Sequence, residues 1–135
     1  MTPQEIINKF YGECLSVSDS KNFAELMFTL LADDFKSIGS VEVKTKEQLT
    51  GTMTYIRNIV PDLKWQPEEI LNSGNKWIVR SFASGTPKGS FMGIETDGTK
   101  SFKFMSIDIH TIEEGKIQSV HHIEDWMTAI AQLKG

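Results

Sequence analysis

Apolar residues recur at helical spacing through the first half of this chain and at strand spacing through the second. Ile7, Phe10, Tyr11 and Cys14 lie three or four positions apart and predict an amphipathic helix of roughly four turns. Thr2 suits its N-cap and Pro3 its first position, and Glu5 completes a capping box. After a polar break at Ser16 to Ser20, with Asp19 or Ser20 as the next N-cap, Phe23, Leu26, Met27, Leu30 and Leu31 define a second helix. It is expected to end near Ala32 to Phe35 and to run into a short extended piece from Lys36 to Val43. Thr45 and Gln48 open a third helix whose buried face carries Leu49, Met53, Ile56 and Val60. Gly51 weakens that helix modestly, and Pro61 ends it, because proline lacks the donor and disfavours helix in the residue before it.

Leu63 to Leu71 reads as extended, with Pro67 marking an edge or a bulge. After a turn at Asn72 to Asn75, Lys76 to Ser84 alternates as a strand does: Trp77, Val79, Ser81 and Ala83 share one face, and Ile78, Arg80, Phe82 and Ser84 the other. Gly85 to Gly98 is rich in glycine, yet Phe91, Met92 and Ile94 are too apolar for a solvated loop. They are expected to fold over a cavity mouth or a partner subunit. Residues 99 to 125 form two β-rich arms about Glu113-Glu114-Gly115, a hairpin signature. Trp126 to Leu133 reads as a final helix.

With 135 residues, the chain has the length of one domain, 1–135, able to bury its own core. Eighteen acidic against fourteen basic residues give a net charge of −4 with no basic cluster, which argues against nucleic acid and anionic membrane surfaces as partners. One cysteine, no membrane-length apolar run and no signal-peptide layout lead to the expectation of a cytoplasmic protein without an internal disulfide. No metal-ligand or nucleotide-binding spacing is present, so neither a metal nor a cofactor is expected.

The hairpin holds all three histidines, His110, His121 and His122, and two acids within β-rich sequence, Asp108 and Asp125. Ionisable groups that face inward from a strand must be paired, neutralised or used. Asp125, among Ile123, Trp126 and Met127, is either a carboxyl of raised pKa able to exchange a proton or the N-cap of the last helix. Register decides its partners. A two-residue Glu114-Gly115 loop pairs Asp108 with His121 and puts Asp125 opposite Phe104; a three-residue loop with a glycine bulge pairs Asp108 with Val120 and Ile107 with His121. His110 and His122 read as structural or exposed. Three other features have plain structural readings beside a chemical one. Cys14 is a small core residue or a thiol, Asp33 and Asp34 are turn-capping or paired carboxylates, and Arg80 is an ion-pair partner or an anion ligand.

Helices first and long antiparallel strands after them mean α+β. Such a sheet curls, and three helices closing its concave side leave a cone with an internal pocket. Leu31-Ala-Asp-Asp-Phe35, Val60-Pro-Asp-Leu63, Gly74 to Arg80 and Gly89-Ser-Phe-Met-Gly-Ile94 follow one another along the chain. Ile107-Asp-Ile-His110, Gly115-Lys-Ile117, Asp125 and Gln132-Leu-Lys-Gly135 come after them. In these stretches, their order and their spacing, the chain resembles the SnoaL-like polyketide cyclase family, ester-cyclase-like members of the nuclear-transport-factor-2-like cone folds. The resemblance implies three N-terminal helices on a strongly curved antiparallel sheet, a short C-terminal helix and a homodimer. It also implies ring closure by intramolecular aldol condensation of a small lipophilic molecule, without cofactor or metal. Counting from the Gly-Lys-Ile turn, the family's acid/base position falls on Asp125, and the apolar pocket on Trp65, Trp77, Phe82, Phe91, Phe102 and Met105. The chain departs from the family where many members carry histidines: Lys36 to Gly39 and Thr86 to Lys88 hold none, while His121 takes an aromatic position. On residue parity His121 and Asp108 join Asp125 as candidate catalytic groups. A cofactor-free acid/base enzyme, a non-catalytic binder of an apolar ligand and a dimeric assembly protein all remain compatible with this reading.

Overall fold

Residues 1–19 and 22–135 are described by a computed structural model. Helix α1 (Pro3–Lys9) opens with the expected capping box: Thr2 accepts from the Glu5 amide, and Glu5 reaches back to the Thr2 amide. It then loosens into a π-helical segment, Phe10–Cys14, closed by a bond from the Leu15 amide to the Phe10 carbonyl. The wider turn brings Phe10, Tyr11 and Cys14 inward together behind Ile6 and Ile7. Helix α2 (Phe23–Leu30) has Asn22 at its N-cap with no side-chain bond; the Ser20 alternative lies outside the described residues.

Leu31 ends α2 by turning extended and begins β1 (Leu31–Ile38), so the second helix stops earlier, and the strand starts earlier, than helical spacing suggests. The reason is tertiary: Leu31 pairs with Ile117, and Lys36 to Ile38 pair in parallel with Ser119 to His121. Strand β2 (Val43–Thr45) folds back on β1, and Thr45 with Gln48 forms a second capping box at the start of α3 (Lys46–Ile59).

The long strands are β3 (Lys64–Ser73) and β4 (Lys76–Gly85), then β7 (Phe102–Glu113) and β8 (Lys116–Glu124). A short hairpin of β5 (Lys88–Phe91) and β6 (Ile94–Asp97) separates the two pairs. The main sheet runs β2-β1-β8-β7-β4-β3, antiparallel except at the β1–β8 seam. Pro67 sits where both readings of it placed it: β3 is an edge strand, and its register slips between Pro67 and Glu69. Helix α4 (Trp126–Lys134) closes the chain.

The sheet's inner face carries Phe102, Phe104, Ser106, Asp108, His110 and Ile112 from β7 and Val79, Ser81 and Ala83 from β4, all buried against the helices. The apolar hairpin tip resolves likewise. Phe91 is buried, stacked on Phe102 at 5.5 Å and edge-on to Trp126 at 6.2 Å, while Met92 turns outward at positive φ beside Gly93. Among the described residues no helix is long and apolar enough to cross a membrane.

Candidate functional site

Two features of the β7–β8 hairpin decide which side chains reach the interior. Its turn is the two-residue one, Glu114 and Gly115 both at positive φ, pairing Glu113 with Lys116. One step later the register shifts: Ile112 faces Ile117 but Thr111 faces Ser119, leaving Gln118 as an extra residue. Beyond this bulge Asp108 faces His122, and Ile109 faces His121. The two-residue turn is the first of the two expected, but its register holds only for the two pairs next to the turn. Neither expected pairing of Asp108 occurs, because the bulge slips the strand one residue and exchanges its faces. His122 and Glu124 therefore point inward, and His121 points out.

The inward residues converge on a cavity of about 160 Å³ between α3, the π-helical segment and the concave sheet. Phe10, Leu49, Met53, Ile56, Trp65 and Trp126 give it apolar walls; Asp108, His122, Glu124 and Lys44 supply its charges. Trp65 is held by its indole N–H, which donates to Ser106 Oγ at 2.9 Å, and by its backbone amide on Ser16 Oγ at 2.9 Å. Behind the cavity lies an aromatic wall of Phe91, Phe102 and Phe104, with Trp126 tilted over Phe104 at 4.5 Å.

Asp108 is 5% exposed. Burial drives its carboxyl up to about 7; the hydrogen bond from Tyr11 and the charge of His122 restrain the rise, and Glu124 adds to it. The Tyr11 hydroxyl lies 2.5 Å from Asp108 Oδ2 and 2.7 Å from His110 Nε2, joining residues nearly a hundred positions apart. Burial pushes the Tyr11 phenol well above its ordinary range, with the Asp108 charge reinforcing it. Burial holds His110 down to about 3, so that imidazole stays neutral. Its Nδ1 meets no partner among the described residues. His122 moves the opposite way: Glu124 Oε1 lies 2.7 Å from its Nδ1 and raises its pKa. A half-buried imidazole whose pKa is raised thus faces a buried carboxyl whose pKa is also raised, across one strand pair.

The residues singled out from sequence are dispersed by this geometry. Asp108 and Trp65 line the cavity, and Phe91 and Phe102 belong to the wall behind it. Asp125 is exposed and caps α4, accepting from the Thr128 amide at 3.2 Å and the Thr128 hydroxyl at 2.6 Å. His121 lies on the outer sheet face beside Ile107, Ile109 and Ile123. Phe82 and Met105 pair on that same outer face, where Lys103 sits 5.2 Å over the Phe82 ring; the alternation of β4 and β7 turns both away from the cavity. Trp77 is on the inner face but pairs with His110, beyond the cavity.

Tyr11, His122, Glu124 and Lys44 are the groups that sequence reasoning passed over. Tyr11 was part of an apolar stripe with nothing to flag its hydroxyl, whereas the i, i+2 spacing of His122 and Glu124 does put both on one face of a strand.

The remaining candidates take structural roles. Asp33 and Asp34 are exposed on β1, with Asp33 3.1 Å from Lys46, and Arg80 donates to Glu69 at 3.0 Å. Cys14 is fully buried, and burial pushes its thiol up to about 12, far from the thiolate needed for reactivity. Among the described residues no three His, Cys, Asp or Glu side chains converge as metal ligands would. A larger concavity of about 560 Å³ opens outside, between α1 and β3. Its charged residues, Asp62 and Lys64, are exposed and its buried ionisable group is Tyr11, whereas the buried carboxyl of Asp108 lines the inner cavity.

Solved structures share this architecture along the whole chain. IdmH of Streptomyces antibioticus, a candidate polyketide cyclase, superposes with a TM-score of 0.84 at 22% identity, covering 100% of both chains. A candidate SnoaL-like polyketide cyclase from Jannaschia sp. CCS1 gives 0.85 at 16% identity, covering 100% of this chain and 96% of its own. TsrD of Streptomyces laurentii gives 0.81 at 20%, covering 96% and 92%. At these identities the likeness is one of fold. Comparison with curated proteins yields no match. The family model of the SnoaL-like polyketide cyclases matches residues 5–133, and the chain belongs to that family.

Proposed function

We propose that this protein is a cofactor-free acid/base catalyst that closes a ring by intramolecular aldol condensation, or performs a related isomerisation, on a small lipophilic carbonyl compound. The observation that carries the reading is Asp108, a carboxyl buried at an apolar cavity with its pKa drawn to about 7. There it can both take and return a proton at neutral pH.

In its ionised form Asp108 removes a proton from the carbon beside a carbonyl, leaving an enolate. The enolate carbon attacks a second carbonyl within the same molecule, and the new alkoxide recovers the proton from Asp108. His122, whose charged form its bond to Glu124 favours, is the group suited to face the oxygen on which negative charge develops. The cavity is smaller than the ~300 Å³ at which drug-sized sites begin, which favours a compact substrate.

Membership in a cyclase family supports the reaction class, and the buried acid supports the chemistry. The outer sheet face, with Met105, Ile107, Ile109 and Ile123 exposed, supports a homodimer.

Asp108→Asn keeps the shape of the side chain and removes its base. With a panel of compact diketones and β,γ-unsaturated ketones, turnover by the wild type is expected to fall by about 10²–10⁴-fold in this variant. Equal rates in the two proteins would refute the assignment. Saturable binding of such compounds with no turnover by the wild type would make the protein a carrier instead.

A further inference from the structure

The Tyr11 oxygen has two close polar partners but only one proton. Asp108 Oδ2, at 2.5 Å, can only accept when the carboxyl is ionised. The Tyr11 proton is then committed to Asp108. The contact at 2.7 Å to His110 Nε2 requires a second proton, which the neutral imidazole supplies if its tautomer is Nε2–H. The opposite tautomer would leave a buried Nδ1–H with no acceptor, since Nδ1 meets no partner among the described residues. It would also turn the Tyr11 proton toward His110 and require Asp108 to donate.

We propose that His110 and Tyr11 are positioning residues for Asp108. The imidazole Nε2–H donates to the Tyr11 oxygen, the Tyr11 hydroxyl donates to Asp108 Oδ2, and proton exchange with a bound substrate is thereby confined to Asp108 Oδ1. The catalytic meaning of the relay rests on Asp108 being the acid/base.

All three members are buried, and the link spans the two layers of the fold: Tyr11 comes from the π-helical segment, Asp108 and His110 from alternate inward positions of β7. The π-helical turn is what turns Tyr11 inward with Phe10, and such turns recur at functional sites. T-shaped contacts at 5.5–5.7 Å among Phe10, Tyr11 and His110 hold the rings in place.

Other charged groups reach Asp108 from the remaining elements around it. His122 and Glu124 come from β8 and Lys44 from β2, while β4 offers only Val79. Among the described residues, none of these donates a hydrogen bond to the carboxyl. Tyr11 is therefore the donor that acts on the carboxylate directly, and His110 acts through it.

The test is made on the full chain without substrate. In the wild type, ring ¹⁵N spectra of His110 are expected to show a protonated Nε2 and a bare Nδ1 throughout the neutral pH range. The Nδ1–H tautomer would overturn the relay. In parallel, the carboxyl ¹³C signal of Asp108 is titrated in the wild type, in Tyr11→Phe and in His110→Gln.

Losing the hydroxyl is expected to raise the midpoint by about one pH unit or more. His110→Gln, whose amide can still donate, is expected to stay near the wild type. An unchanged midpoint in a folded Tyr11→Phe would overturn the proposal. If the wild type turned over no carbonyl compound while both spectra behaved as expected, the proposed function would fail and the relay would stand. If Asp108→Asn abolished turnover but the tautomer were wrong, the reverse would hold.

Discussion

Asp108 and His110, two positions apart on one strand, are pushed by burial to opposite ends of their ranges, and each makes folding depend on pH. Unfolded, Asp108 releases its proton near 3.8; folded, it keeps that proton to about 7. Between those values the native state holds one proton more, so stability from this group falls as pH rises. His110 does the reverse. Unfolded it takes up a proton below 6.5; folded it refuses one until about 3, so stability falls as pH drops through that window. Across the overlap the two slopes oppose each other. Asp108→Asn removes the first and leaves the second. Relative to the wild type, the variant is expected to lose up to about 1.4 kcal/mol of stability per pH unit on acidification below neutrality. Urea midpoints at about pH 4.5 and about pH 6.5 measure this, and parallel pH dependence in the two proteins would contradict it. The wild type carries one further contribution: raised by Glu124, His122 favours folding below its unfolded pKa and loses that effect as pH rises through its folded one.

At the scale of elements, α4 depends on Asp125 as its cap, and Trp126 at its first position forms part of the cavity lining. Asp125→Ala is expected to cost about 1 kcal/mol, whereas Asp125→Asn retains the cap and costs little. Thermal melts of the two variants test this, and neither is expected to reduce turnover, since the carboxyl lies outside the cavity. A rate loss in Asp125→Asn as large as in Asp108→Asn would return Asp125 to the chemistry. Much at this scale was legible in the chain. Both capping boxes, the edge position and slip at Pro67, and the two-sided alternation of β4 follow from local residue chemistry, and local chemistry acts the same way before and after folding. The start of β1 was not legible, because Leu31 to Phe35 continue a helical apolar spacing and only the distant strand β8 draws them straight. Nor was the hairpin register. Gln118 carries no residue-type signal for a bulge, yet that one extra position sends His122 inward and His121 out. Tyr11 illustrates a third limit: a phenol on an apolar stripe reads as core until the strand that faces it is known.

At the scale of the molecule, the outer face of the sheet is the unusual surface. Met105, Ile107 and Ile109 are each about two-fifths exposed, and Ile123 more so, on strands that pack helices only on their other side. A homodimer through this face is expected to sediment at twice the 15.2 kDa of one chain, and Ile107→Asp to sediment as the monomer. A wild type that stays monomeric at micromolar concentration would remove the dimer from the proposal. The sheet itself has a further consequence, in the order of events along the folding path. β1 is joined to the sheet only through β8, a partner more than eighty residues away, and the bond from Tyr11 to Asp108 spans 97. β1 pairs locally with β2, and the segment after the π-helical turn bonds to β3. The β1–β8 seam and the Tyr11–Asp108 bond must wait for the last hairpin, and the entropy of closing so long a loop is met before those contacts form. During synthesis the β1–β8 seam waits for the end of the chain, and the site, drawn from both ends, is expected to be among the last things the protein acquires.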